Sequence, residues 1–253
     1  MGTVTAAWPV SSRITAPAPG EARIWSADLE PGAAAIDRFV PLLSADERER
    51  AERFHLRRDA MRWIAARAVL REILAGCLGG ADPRALAFTY GDKGKPVLAA
   101  PAGSLDLQFS LAHSAHLALY AVTVGRPVGV DVERLRPLPD MDQLAERTFS
   151  RQECAALRGL PVPLRPAGFF NCWTRKEAYI KAVGLGLSYP LERFSVSLAP
   201  GVPARLEAVE IDPAHVDAWT MASLAPRSGF VGAVVVGVRP VELVCERLGE
   251  DRR

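Results

Sequence analysis

The chain has 253 residues, 49% hydrophobic and 24% charged, enough apolar material for one large core or two smaller ones. No run approaches the roughly 18 apolar residues of a membrane span, the first 20 residues lack the basic and apolar regions of a signal peptide, and Ala6 stands where a myristoylation signal wants Ser or Thr, so a cytoplasmic protein without a membrane partner or anchor is expected. A net charge of +2 is too small to point to nucleic acid, and four scattered cysteines without a CxxC pair read as buried, reduced thiols.

In chain order, the Ala- and Pro-rich residues 1–20 read as a flexible leader and Ala22–Leu29 as a first strand. Ser44 with Glu47 three residues on has the form of a capping box, and the stretch to about Leu74 reads as one or two helices ended by Gly76. Between Asp46 and Arg71 eight arginines stand among five carboxylates. That density is either a basic face that meets phosphate or a salt-bridged solvated helix face. Gly91-Asp-Lys-Gly-Lys-Pro96 is a basic hairpin turn, and three strand candidates follow it. Leu105, Leu107, Phe109 and Leu111 alternate with polar residues, Leu117–Val124 is β-branched and apolar, and Val128, Val130 and Val132 alternate with Gly129, Asp131 and Glu133. The connections between them are short, which predicts an antiparallel meander.

Beyond the Pro-rich Arg136–Asp140, the pattern predicts helices at Met141–Phe149, Arg151–Leu157 and about Gly168 to Val183, the last closed by Gly184. A Pro-punctuated loop spans 159–166, and strands are predicted at Phe194–Leu198, Ala218–Leu224 and Phe230–Val238. Helix followed by antiparallel strands is thus the order twice over. The expected fold is a pseudo-duplicated α+β arrangement with an N-terminal half at 21–127, a C-terminal half at 128–240, a tail at 241–253 and a site in the cleft between the halves.

Four clusters carry chemistry. Asp131 and Glu133, two apart on a strand, point to one face roughly 6.6 Å apart. They either hold a hard cation with oxygen ligands or are two acids on an exposed strand face, with Gly129 keeping that face open. Trp173, Glu177 and Lys181 share one stripe of a helix with Lys176 beside it, a pattern that serves a site or an ordinary Glu–Lys salt bridge. His113 lies in the turn of Phe109-Ser-Leu-Ala-His-Ser114, where a ligand or plain solvent can meet it. His113 with His116 lacks a third ligand for a softer metal, and the basic turn at 91–96 is by default only a hairpin loop.

Taken in register, these pieces resemble the phosphopantetheinyl transferases of the larger, surfactin-synthetase-activating (Sfp-like) type. The resemblance runs from Ser44-Ala-Asp-Glu-Arg48 to about Leu198. It covers Asp59-Ala-Met-Arg62, Gly94-Lys-Pro96, Phe109 to Ser114, Gly129-Val-Asp-Val-Glu133, and Trp173 through Lys181 with Gly184 and Gly186. It implies two similar α/β halves with coenzyme A between them, and a magnesium-dependent transfer of 4′-phosphopantetheine to a serine of an apo acyl or peptidyl carrier protein, releasing 3′,5′-ADP. By position it implies Asp131, Glu133 and Glu177 as magnesium ligands, and Arg62, Lys95 and His113 toward the 3′-phosphate and adenine end of coenzyme A. Lys176 and Lys181 fall toward the pyrophosphate, Arg50 matches a basic position, and Glu47 stands where relatives can be basic. Glu177 is the preferred general base and Glu133 the second. Ser110 and Ala112 depart from the family's usual Asn and Ser, which at position 112 removes one hydroxyl that could bond a phosphate. An acidic carrier would dock on the arginine-rich face or the 140–166 region, and a monomer with both halves is self-sufficient. Two other readings share these residues: a non-catalytic carrier-protein or coenzyme A binding module, and a magnesium-dependent coenzyme A pyrophosphatase.

Overall fold

The computed structural model describes residues 8–11, 13–30, 32–91, 93–99, 105–186, 189–210, 215–237 and 240–249. The first part contains β1 (Val10–Ser11), β2 (Glu21–Asp28), α1 (Ala33–Phe39), α2 (Ala45–Glu52), α3 (Arg57–Cys77), β3 (Ala87–Tyr90), β4 (Pro96–Ala99), β5 (Leu107–Ser114) and β6 (Leu117–Val124). The second contains β7 (Val128–Arg134), α4 (Met141–Thr148), α5 (Arg151–Gly159), α6 (Arg165–Val183), β8 (Phe194–Val196), β9 (Leu206–Val209), α7 (His215–Ala218), β10 (Trp219–Leu224), β11 (Phe230–Gly237) and β12 (Glu242–Leu248).

Two sheets organise the molecule. The first runs β1-β12-β2-β6-β5 and carries α3, whose Leu70, Ile73 and Leu74 share a core with Trp25, Phe109 and Tyr120. The second runs β10-β11-β7 and carries α6, whose Phe170, Ala178 and Ile180 share a core with Phe194, Met221 and Val235. A third apolar layer joins the halves, with Ile24, Leu119 and Ala121 of the first sheet against Val128, Val130, Val132 and Val234 of the second. The fold is therefore α+β with one long helix on a sheet in each half, as the repeated element order predicts.

Three expectations are corrected. Residues 1–20 are not all a loose leader: Trp8 is buried, Ser11 lies in a strand paired with β12, and Ile14 packs on α3; residues 1–7 lie outside the described ones. Nor does the chain after 240 stand apart, because β12 pairs in parallel with both β1 and β2 and completes the first sheet, so that sheet is not wholly antiparallel; residues 250–253 lie outside the description. Finally, β7 does not extend the β5–β6 hairpin as a third meander strand. It pairs with β11 in the second sheet, and at the seam serine hydroxyls of β5 meet its backbone: Val130 N–H donates to Ser110 Oγ at 3.1 Å and Arg134 N–H to Ser114 Oγ at 3.1 Å.

The capping box at Ser44 forms, with Ser44 N–H donating to Glu47 Oε2 at 3.0 Å. Gly76 does not end the helix, which continues to Cys77; a Cβ there would lie 2.7 Å from Ile14 Cγ2, so glycine makes room for the N-terminal segment. Gly184 does close α6, at φ 78°, a left-handed cap that glycine adopts without steric cost.

Glu47 withdraws two residues of the arginine-rich stretch, Arg67 and Arg71, from any exposed basic face. Its carboxylate is 2% exposed and accepts from Arg67 Nε at 2.9 Å and Arg71 Nε at 2.8 Å, while both guanidiniums lie over the Phe88 ring. Burial alone would raise this carboxyl, but the Arg71 and Arg67 cations outweigh it and hold it below the ordinary glutamate value. Arg48, Arg50, Arg53, Arg57 and Arg58 remain exposed. Glu47→Ala strands two buried guanidiniums and is expected to cost about 3–5 kcal/mol of stability, read as a lower midpoint in urea denaturation.

Candidate active site

The site begins at one missing side chain. Val130 and Val132 point into the apolar layer between the halves, so Gly129, Asp131 and Glu133 face the other way, toward α6. A Cβ on Gly129 would lie 2.0 Å from the Ala178 carbonyl oxygen and 2.4 Å from the Ala182 nitrogen. The helix backbone therefore rests directly on the strand, and the role of Gly129 is close packing rather than an open polar face.

That approach brings the strand acids to the helix stripe. Lys181 Nζ donates to Asp131 Oδ1 at 2.7 Å and to the Val130 carbonyl at 3.3 Å. Asp131 and Glu177 are each 7% exposed, and Asp131 Oδ2 and Glu177 Oε1 are buried with no hydrogen-bond partner among the described residues. Burial pushes the Asp131 carboxyl up to about 7 against the pull of Lys181, with Glu177 and Glu133 adding to the rise. Burial likewise raises Glu177, Lys181 lowers it, and Glu133 raises it further. Glu133 Oε2 accepts from Ser114 Oγ at 2.6 Å. In kind, unpaired oxygens on buried acids fit a hard divalent cation, with the Lys181 ammonium supplying the positive charge here. The arrangement is open, since among the described residues no three acidic, histidine or cysteine side chains are already gathered around one point.

Beside these acids a cavity of about 400 Å³ lies between the halves, lined by Lys93 and Lys95 of the β3–β4 turn, Phe109 and Leu111 of β5, and Lys181 and Gly184 of α6. Lys95 Nζ reaches across, donating to the Lys181 carbonyl at 2.7 Å and the Val128 carbonyl at 3.2 Å. The hairpin turn at 91–96 thus forms as predicted, with Asp92 outside the described residues, and it closes one wall of the cleft. Burial lowers Lys95 to about 8. His113 stands at the end of β5, where desolvation of its ring lowers the imidazole, Lys181 and Arg62 lower it further and Glu133 opposes them. Arg62 Nη2 pairs with Glu30 Oε1 at 2.5 Å, and its Nε is buried without an acceptor among the described residues.

Lys176 is not brought to this site. It is 0% exposed on the far side of α6, where Nζ pairs with Glu153 Oε2 at 2.8 Å and donates to the carbonyls of Leu191 and Phe194 at 2.8 and 2.6 Å. Adjacent residues on a helix lie about 100° apart, so a lysine next to Glu177 need not share its face. Arg50 is exposed on α2 over the Trp63 ring and does not line the cleft. Ala112 packs in the apolar layer between the halves, away from the cleft wall, so a hydroxyl at this position would not face a ligand there. Two contributors escaped sequence reasoning, the close approach at Gly129 and the Ser114 hydroxyl. The small residues Ala178 and Ala182, one turn apart on α6, are the signal that could have revealed the first.

Residues 127–235 match the family model of the 4′-phosphopantetheinyl transferase superfamily, and residues 27–125 match that of the 4′-phosphopantetheinyl transferase N-terminal region. The 4′-phosphopantetheinyl transferase HetI of Nostoc sp. is 38% identical over 216 residues, which span 85% of this chain and 87% of the relative. The chain belongs to the 4′-phosphopantetheinyl transferase family. The transferase ffp of Bacillus subtilis is 31% identical over 207 residues, covering 77% of this chain and 87% of that one. Sfp of Bacillus subtilis strain 168 is 27% identical over 190 residues, covering 71% and 82%. As a member of this family the chain is a transferase that uses coenzyme A as substrate and acts on carrier proteins. No helix among the described residues is long and apolar enough to cross a membrane.

Proposed function

We propose that coenzyme A lies in the cleft between the halves and that its phosphopantetheine passes to a serine hydroxyl of an apo acyl or peptidyl carrier protein, with 3′,5′-ADP leaving. One observation supports this above the rest: Lys181, paired with Asp131 and one turn along α6 from the buried Glu177, lines a cavity together with Lys95 of the other half. Asp131, Glu133 and Glu177 would hold magnesium, which when bound neutralises charge on the diphosphate. Lys181, with two of its three N–H groups engaged by described residues, sets an ammonium toward the leaving diphosphate. Glu177 takes the serine proton; Glu133 is the second candidate. Arg62, Lys95 and His113 serve the nucleotide end. Lys176 has no part in this reading, because its ammonium is spent on buried partners. Both walls come from one chain, so a monomer suffices.

Incubating the protein with coenzyme A, magnesium and an apo carrier, then weighing the carrier by mass spectrometry, tests the reading. A carrier heavier by one phosphopantetheine is expected. An unmodified carrier with intact coenzyme A would instead mark a binding module, and one with cleaved coenzyme A a pyrophosphatase.

Lys95 carries a pH prediction. Free enzyme loses its charge near pH 8, so kcat/KM for coenzyme A is expected to fall as pH rises through about 8, and Lys95→Met is expected to lack that limb. The sign for stability is opposite. Between about 8 and the ordinary lysine value of 10.5, the unfolded chain holds the proton that the folded one has shed, so Lys95 contributes stability that grows with pH. A falling kcat/KM with an unchanged or rising melting temperature separates lost binding from unfolding.

A further inference from the structure

We propose that Ser114 is a positioning residue for Glu133, by which the first half of the molecule sets the cation affinity of an acid carried by the second. The inference rests on the reading of Glu133 as a magnesium ligand and adds the group that aims it. Ser114 Oγ lies 2.6 Å from Glu133 Oε2, and the Arg134 N–H donates to the same Oγ at 3.1 Å. A hydroxyl has one proton and an ionised carboxylate only accepts, so the serine proton must go to Glu133. With one of its lone pairs accepting from the Arg134 N–H and its proton on Glu133, the hydroxyl is held from both sides. One carboxylate oxygen is thereby occupied, and the orientation of the other is set.

The turn that carries Ser114 is itself held in place. Ala115 follows at φ 52°, a left-handed conformation that a non-glycine residue keeps only when its surroundings impose it. Those surroundings come from both halves. The Leu29 N–H donates to the His116 carbonyl at 2.6 Å, and the His116 ring stands edge-on to Phe230 of β11 with centroids 5.3 Å apart. Ser114 therefore reaches Glu133 from a turn braced by β2's exit on one side and by the second sheet on the other. Outer-shell hydrogen bonds of this kind usually set metal affinity by about 10- to 100-fold.

The test is magnesium binding to the full chain, measured by isothermal titration calorimetry without coenzyme A, in wild type, Ser114→Ala, Ser114→Cys, Ser114→Thr and Glu133→Gln. Ser114→Ala is expected to weaken magnesium by about 10- to 100-fold, and Ser114→Thr, which keeps the hydroxyl, to restore most of it. Ser114→Cys keeps the shape of the side chain with only a weak donor, so it should behave like alanine and stays readable if the alanine variant folds poorly. Should Glu133→Gln weaken magnesium while Ser114→Ala and Ser114→Cys bind as wild type, the positioning role is overturned. If Glu133→Gln itself leaves binding unchanged, the ligand reading of Glu133 falls, and the inference with it.

Discussion

Gly129→Ala is expected to drive strand β7 and helix α6 apart and lower transfer by about 100-fold or more. The added Cβ would sit 2.0 Å from the Ala178 carbonyl oxygen, 2.4 Å from the Ala182 nitrogen and 3.0 Å from the Ala182 Cα. All three are helix backbone, so no rotamer change relieves the clash and the helix itself must shift. Overpacking of well-filled interiors costs typically about 1–3 kcal/mol, and a backbone clash this short belongs at or above the top of that range. In a chain of this size each kcal/mol lowers the melting temperature by roughly 2–4 °C. The shift also carries Glu177 and Lys181 away from Asp131, and a misplacement of about 1 Å suffices for a 100-fold loss. Melting temperature and carrier modification rate, measured together, check both effects. Wild-type values of both would show that the close contact between α6 and β7 is not needed.

Asp131→Asn separates the site from the scaffold in the opposite way. The expected result is a transfer rate lower by about 100- to 1,000-fold, the size of losing one preorganised electrostatic group, in a protein that melts no lower than wild type. Asp131 is buried, one of its oxygens has no partner among the described residues, and burial holds its carboxyl up near 7, so ionising it works against the free fold. Asparagine keeps an oxygen for Lys181 and removes the charge. Added magnesium should raise the melting temperature of wild type and leave that of Asp131→Asn unchanged, because a ligand stabilises only the state that binds it. Near wild-type turnover in this variant, or equal magnesium stabilisation of both proteins, would remove Asp131 from the cation site.

The alternation that assigns Asp131 and Glu133 to one face is a property of any strand, so it was readable at Val128–Glu133 without further information. The capping box at Ser44, the helix ending at Gly184 and the hairpin at 91–96 were equally local, each resting on residues within a few positions of one another. Partnership was not local. Nothing within Val128–Glu133 says that its partner is β11, about 100 residues on, rather than the β6 strand just before it. For the same reason β12 could not be assigned to a sheet it enters from the far end of the chain. Lys176 shows the limit within one helix: a stripe drawn from i, i+4 spacing gives neighbours, whereas the direction in which each side chain finds partners depends on what is packed there, here Glu153 and the carbonyls around β8.

What this sequence determined by itself is a duplicated α+β order, two acids on one strand face, a helix with Glu177 and Lys181 one turn apart, and a motif set that resembles one family. What only the tertiary structure decided is which of these side chains meet. Gly129 lets a helix backbone lie on a strand, and that contact, set by the absence of a single Cβ, brings Asp131 to Lys181 and Glu177 while turning Lys176 into the interior. Periodicity specifies the face a side chain occupies; the distance to the opposing element depends on atoms far along the chain, and charge chemistry is governed by that distance.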